Sequence, residues 1–166
     1  MAWHTLETFG TRFFDEAPVV ATRTMALPTE ADAVWDELTG DHPLHWCRLL
    51  RGGRYLTPVP HGVGTIRRMG TIGGALRLQE QFISWDDANR THAFRVSHSS
   101  LPGLRRFGER YEVRPTPTGC DLTWTIVAQA QPGARVLHPI VKRVAQSLFT
   151  DTEKYFQAAG RPAASR

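Results

Sequence analysis

The sequence predicts an α+β domain in which a seven-stranded antiparallel sheet wraps around one long C-terminal helix. Six strand-like runs follow one another between residues 49 and 130, joined by short turn-rich connections, with one more strand ahead of them. Residues 134–158 then repeat apolar side chains at helical spacing. A chain of 166 residues fits one domain at roughly 100–200 residues per domain. It also buries enough surface for a core and an internal pocket without disulfides or metal.

Residues 1–17 carry Trp3, Leu6, Phe9, Phe13 and Phe14 at roughly helical spacing, interrupted by Gly10 and without a cap. They predict a weakly structured N-terminal arm packed on the body. Val19 to Leu27 alternates and is rich in Val and Thr, the pattern of a strand. Pro28-Thr29-Glu30-Ala31-Asp32 starts a helix, with Thr29 as its cap and Asp32 as an acidic variant of the capping box. Trp35 and Leu38 share its buried face, and Gly40 stops it. Asp41 to Trp46 reads as a second short helix or turn.

Strands are expected at Leu49–Pro58, Gly64–Ile72, Leu76–Trp85, His92–His98, Arg105–Arg114 and Cys120–Ala130. The connections between them are of hairpin length, so the strands are antiparallel neighbours. Pro132-Gly133 ends the last strand. Residues 134–158 form an amphipathic helix about 37 Å long. Its apolar stripe is Val136, Ile140, Val144, Leu148 and Thr152 with Leu137, Val141, Ala145 and Phe156. Gly160 and Pro162 terminate it, leaving 159–166 as a flexible tail and 18–158 as the domain. The order is one strand, two short helices, six strands and one long helix.

Composition excludes several classes. With 41% hydrophobic and 22% charged residues the chain is neither disordered nor fibrous. Its net charge of +4 is mild, and arginines are scattered from Arg12 to Arg166 rather than gathered on one element, so nucleic acid is not an expected partner. Cys47 and Cys120 stand far apart, in no disulfide or zinc spacing. His42, His45, His61 and His92 lack paired metal-ligand geometry, so no metal or cofactor is expected. The start shows no secretory pattern, and no run reaches the length of a membrane span. A cytoplasmic protein without integral membrane association is expected. No phosphate-cradling loop or Gly-x-Ser-x-Gly nucleophile motif is present.

This order of elements, together with Pro28-Thr29-Glu30-Ala31-Asp32-Ala33-Val34-Trp35, Gly62-Val63-Gly64-Thr65-Ile66-Arg67, Leu78-Gln79-Glu80-Gln81-Phe82-Ile83-Ser84-Trp85-Asp86 and Gly119-Cys120-Asp121-Leu122-Thr123-Trp124, resembles the SRPBCC superfamily. More narrowly it is similar to the bacterial polyketide cyclase/dehydrase-like and START-like helix-grip proteins, over about residues 18–158. The resemblance implies a sheet gripping the C-terminal helix around an apolar cavity. Members use such cavities to bind lipids, sterols, hormones and polyketides, and a minority for catalysis. The cysteine and histidine pattern of a Rieske domain is missing, which excludes the oxygenase version.

Strand alternation then nominates the inward side chains. If Trp124 faces the helix with Leu122, Ile126 and Ala128, the same parity turns Phe107, Glu109, Tyr111 and Val113 inward. The other strands offer Arg67 and Met69; Leu76, Leu78, Glu80 and Phe82; and Phe94, Val96 and His98. A one-residue bulge would invert any of these sets. Trp46, Ile140, Val144 and Leu148 complete the expected lining.

Arg67 and Glu80 lie on strands joined by the Gly73-Gly74 hairpin. Inward, Arg67 would hold a ligand carboxylate or polarise a carbonyl, and Glu80 would orient it or take a proton, with a pKa lowered by the arginine. The alternative is a structural salt bridge or two groups on the outer face. His98, Glu109 and Tyr111 form a second polar set, in which a histidine suits proton transfer and a phenol holds a keto oxygen. Leu101-Pro102-Gly103 and the loop from Pro58 to Gly62 are expected to flank the entrance. Catalytic candidates are Arg67, Glu80 and His98.

The leading reading is binding of a small or medium hydrophobic molecule of lipid, polyketide or aromatic-like type. An aromatase/cyclase or dehydratase-type enzyme and a non-enzymatic accessory or stress protein acting through a protein partner are the alternatives. Either a monomer or a homodimer is compatible with the sequence.

Overall fold

The computed structural model describes residues 2–160. Its elements run β1 (His4–Thr5), α1 (Phe13–Glu16), β2 (Val19–Leu27), α2 (Ala31–Thr39), β3 (Leu50–Tyr55), β4 (Ile66–Thr71), β5 (Arg77–Asp86), β6 (Thr91–Ser99), β7 (Leu104–Thr116), β8 (Gly119–Ala130) and α3 (Leu137–Ala159). The antiparallel sheet has the order β2-β8-β7-β6-β5-β4-β3, and β1 joins it on β6. This is the curled sheet and long C-terminal helix that the sequence predicts.

Alternation along each strand separates the two faces. From β8, Leu122, Trp124 and Ile126 enter the main core with Phe82, Phe94, Tyr111 and Val113, and with Leu148, Phe149 and Phe156 of α3. Val127, of opposite parity, faces the other side, where Phe9, Phe13 and Phe14 cover it.

The N-terminal arm is more ordered than its sequence suggests. Strands β6 and β7 pair from Thr91↔Glu112 to Arg95↔Gly108, and the arm binds both strands beyond that point. His4 pairs with Ser99 and Thr5 with His98. The Leu6 amide donates to the Ser97 carbonyl at 2.9 Å and the Glu7 amide to the Arg105 carbonyl at 2.9 Å. Further along, the Phe9 ring lies over Gly108, where a Cβ would stand 2.7 Å from it.

Four local expectations are corrected. Helix α2 begins one residue past Glu30, with no side-chain cap. Thr29 instead donates to the Phe156 carbonyl at 3.4 Å, and Asp32 pairs with Arg90 at 2.6 Å. Residues 41–46 form a turn rather than a second helix, with Leu44 at φ 59°. Helix α3 starts at Leu137, and its buried face is Ala145, Leu148, Phe149, Asp151, Thr152 and Phe156. Val136, Ile140 and Val144 are exposed, because the first half of the helix borders open space rather than packed core. Residues 161–166, including Pro162 and most of the expected tail, lie outside the described residues.

The parity of β6 is the fourth. The β5 and β6 register runs Gln79↔His98 and then Glu80↔Val96, so Ser97 is an extra residue on β6. The bulge reverses alternation beyond it. His98 therefore faces outward with Gln79, and its ring meets the arm's Trp3 edge to face at 6.4 Å.

Candidate functional site

Between the first half of α3 and the sheet lies a cavity of about 430 Å³, within the range of small-molecule sites. Its floor is Met69, Gly70 and Thr71 of β4, Leu76 and Leu78 at the start of β5, Phe107 and Glu109 of β7, and Ile126 of β8. Helix α3 contributes Leu137, Ile140, Val141, Val144, Ala145 and Leu148. Leu49 and Leu50 close one side, and Leu101, Pro102 and Leu104 the other. Leu49, Leu101, Ile140 and Val144 are also exposed, so an aliphatic rim surrounds the mouth.

Glu109 is the one ionisable side chain among the described lining residues. It sits on the inward face of β7 and is buried. Its Oε2 accepts the Tyr111 hydroxyl and the Trp124 indole N–H, the latter at 3.0 Å. The two donors are fixed by stacking on each other, with ring centroids 4.8 Å apart. Burial, reinforced by the charge of Glu80, pushes the Glu109 carboxyl up to about 7, against the pull of Tyr111, Arg67 and Trp124. Burial and the neighbouring Glu109 carry the Tyr111 phenol well above its ordinary value. Oε1 makes no hydrogen bond among the described residues and is not a sealed, unsatisfied atom, so it is left to the cavity that Glu109 lines.

Arg67 and Glu80 are brought together as the hairpin suggested, at paired positions and 2.6 Å apart. Both are buried. The guanidinium lies 5.1 Å from the Phe82 ring centroid and 5.0 Å from that of Phe94. Burial opposes the Arg67 charge most strongly, but Glu80 together with Tyr55 and Tyr111 outweighs it and the net direction is upward. For Glu80, burial outweighs the attraction of Arg67 and the carboxyl is raised, the reverse of the sequence expectation. Neither residue lines the cavity; each charge is paired with the other, and the guanidinium lies among the rings of Tyr55, Phe82 and Phe94.

The remaining nominations divide cleanly. Met69, Phe107, Glu109, Ile140, Val144 and Leu148 line the cavity. Phe82, Phe94, Tyr111 and Trp124 are core beneath it. Trp46 lies elsewhere, stacked on Tyr155 at 4.8 Å and donating to Thr152 at 2.9 Å, because its turn packs on the second half of α3. His98 is outside, for the reason given by the bulge. Leu101 and Pro102 border the mouth, whereas the loop from Pro58 to Gly62 does not; His61 stacks instead on Tyr55 at 4.0 Å.

Sequence reasoning missed Leu49, Leu50, Leu104 and Thr71 in the lining. It also missed His92, read as a strand edge. His92 is buried with no partner for either ring nitrogen, packed against Trp35, Trp85, Phe82 and Tyr111. Its parity with Phe94 was the available signal. Burial, and after it the charge of Arg67, holds its pKa well below the usual value.

Other features carry less chemistry. A hollow of about 680 Å³ lined by Asp36, Glu37, Asp41, His42 and His45 lies open on the outside of α2. Burial pushes the Cys47 thiol up to about 12, which leaves it unreactive. Among the described residues no group of three or more His, Cys, Asp or Glu is placed to hold a metal.

Comparison with known proteins agrees with this geometry. An uncharacterised protein of Mycobacterium tuberculosis is 28% identical over 157 residues, covering 92% of this chain and 93% of its own. Among solved structures, the Zhui aromatase/cyclase of a Streptomyces species superposes with a TM-score of 0.70 at 13% identity, covering 89% of this chain and 98% of that one. A START superfamily protein of Mycobacterium smegmatis gives 0.65 at 12% identity, with 84% and 98% covered. The fold is thus the helix grip of the SRPBCC superfamily. Residues 18–157 match one of its families along most of the chain, and the protein accordingly belongs to the polyketide cyclase/dehydrase and lipid transport family.

Proposed function

We propose that the protein binds a small or medium hydrophobic molecule, of lipid, polyketide or aromatic-like type, in the cavity between the sheet and α3. The observation that carries this reading is the cavity itself, about 430 Å³ lined by aliphatic side chains around one carboxyl group. Filling that volume with an apolar molecule removes both surfaces from water, which is the main driving force for such binding. The same cavity favours this reading over an accessory protein acting through a protein partner. Two free, buried cysteines fit a reducing cytoplasm. No helix among the described residues is long and apolar enough to cross a membrane.

Displacement of the fluorescent probe N-phenylnaphthylamine by lipids and polycyclic aromatics tests the reading. Val144→Trp, at the rim, places an indole in the open space without entering the packed core. The variant is expected to remain folded and to lose probe binding at least about tenfold, or about 1.4 kcal/mol. Unchanged binding would place the ligand elsewhere.

A second reading, a cyclase or dehydratase-type enzyme, is favoured by Glu109, because a carboxyl near neutrality in an enclosed apolar site is suited to moving a proton. Arg67, occupied by Glu80, would not reach the substrate. On this reading Glu109→Gln abolishes turnover of a poly-β-ketone chain while probe binding persists.

A further inference from the structure

We propose that the molecule held in this cavity carries a hydroxyl group, alcoholic or phenolic, that donates its hydrogen bond to Oε1 of Glu109. The proposal rests on the binding reading above and names the ligand's chemical class within it.

The lining offers a ligand very little polarity. Thr71, the other lining residue with a polar side chain, already donates to the Leu76 carbonyl at 3.4 Å and accepts the Leu76 amide at 3.0 Å. Glu109 therefore supplies the unspent side-chain polar atom among the described lining residues. Tyr111 and Trp124 both converge on Oε2. They lock the carboxyl group and, once it is ionised above its pKa, leave Oε1 as a fixed acceptor. An apolar ligand without a donor would cover this oxygen and strip it of water with nothing in exchange. A ligand with one donor at the right place replaces that water.

The kind of donor follows from what surrounds Glu109. A ligand carboxylate would be repelled by it. An ammonium group brings three N–H donors, of which two would be left facing aliphatic walls. A hydroxyl brings a single donor and no net charge, which matches one free oxygen in an apolar enclosure.

The test compares molecules that differ only in that proton. β-Naphthol and its methyl ether, and dodecanol and its methyl ether, compete with N-phenylnaphthylamine on the wild-type protein at pH 8. The hydroxyl member of a pair that fits is expected to bind about tenfold more tightly than its ether. Glu109→Leu is expected to erase the preference by binding the ether at least as well as wild type does. Equal affinity for alcohol and ether in the wild-type protein overturns this inference while leaving the cavity reading in place, and that comparison needs no variant to fold. If none of the four compounds displaces the probe, the cavity reading and this inference fall together.

Discussion

Arg67 and Glu80 face each other at paired positions of β4 and β5, and their buried charges meet at 2.6 Å against the faces of Phe82 and Phe94. Both ends of the pair are sealed from water, so the pair behaves as a unit. Removing one partner strands the other, whereas removing both leaves an apolar interior.

Arg67→Met is accordingly expected to lower the unfolding free energy by about 3–5 kcal/mol. Arg67→Met combined with Glu80→Leu recovers most of that loss. Urea denaturation of the single and double variants checks both values. Costs that simply add would contradict the account.

Glu109 gives the fold a pH dependence of its own. The folded carboxyl titrates at about 7, against an ordinary value of 4.5, so the folded state holds this proton more tightly. Its stabilising contribution is complete below the ordinary value, declines as pH rises, and is gone above the folded value. That interval converts to about 3 kcal/mol. Glu109→Gln removes it, so the variant's stability relative to wild type should climb between pH 5 and pH 8. Urea melts of both proteins at these pH values decide the matter, and a flat difference would be the contrary result.

His92 acts with the opposite sign. Unfolded, it takes up a proton near its ordinary value of 6.5; folded, it resists to a much lower pH. Its contribution is present above the ordinary value and is lost as pH falls towards the folded one. His92→Phe keeps the ring among Trp35, Trp85 and Tyr111 but has nothing to protonate. The variant is expected to melt at a higher temperature than wild type in acid and to differ little at pH 8, as read by thermal denaturation across that range.

Gly108→Ala tests the seat of the arm. A Cβ there would stand 2.5 Å from the Phe94 carbonyl oxygen and 2.7 Å from the Phe9 ring. Moving the arm relieves the second contact but not the first, which involves the neighbouring strand's backbone. The expected loss is about 1–3 kcal/mol, with faster amide exchange at Leu6 and Glu7, whose bonds to Ser97 and Arg105 tie the arm down. Protection unchanged at both amides would show that Phe9 does not govern the docking.

Much of this architecture is legible in local patterns. Val19 to Leu27 alternates from end to end and forms β2 over those residues. The order of six strands and one long helix follows from turn chemistry and the change of period. Features decided by a neighbour were not legible. His98 turns outward because β6 gains Ser97 against β5, a register matter that neither strand states alone. Thr29 has the composition of a cap, yet its hydroxyl finds Phe156 on α3. In the site, the inward parity of Phe107, Glu109 and Tyr111 was visible, but Arg67 and Glu80 drew attention as charges on an apolar face. Which charge meets open space depends on where the first half of α3 leaves the interior unfilled, and that is a property of the whole packing.

The pairing of β2 also sets a timetable for assembly. Among the described residues its one neighbour in the sheet is β8, with Val19 opposite Ala128 and Leu27 opposite Cys120, roughly a hundred residues later in the chain. The arm likewise waits for Ser97 and Arg105. During synthesis the strand made among the first is therefore among the last to find its place, and the growing chain must keep an apolar ribbon out of trouble until β8 emerges. Such distant pairings make folding slow. A chain halted in the turn before Gly119 would carry β2 with no strand to receive it.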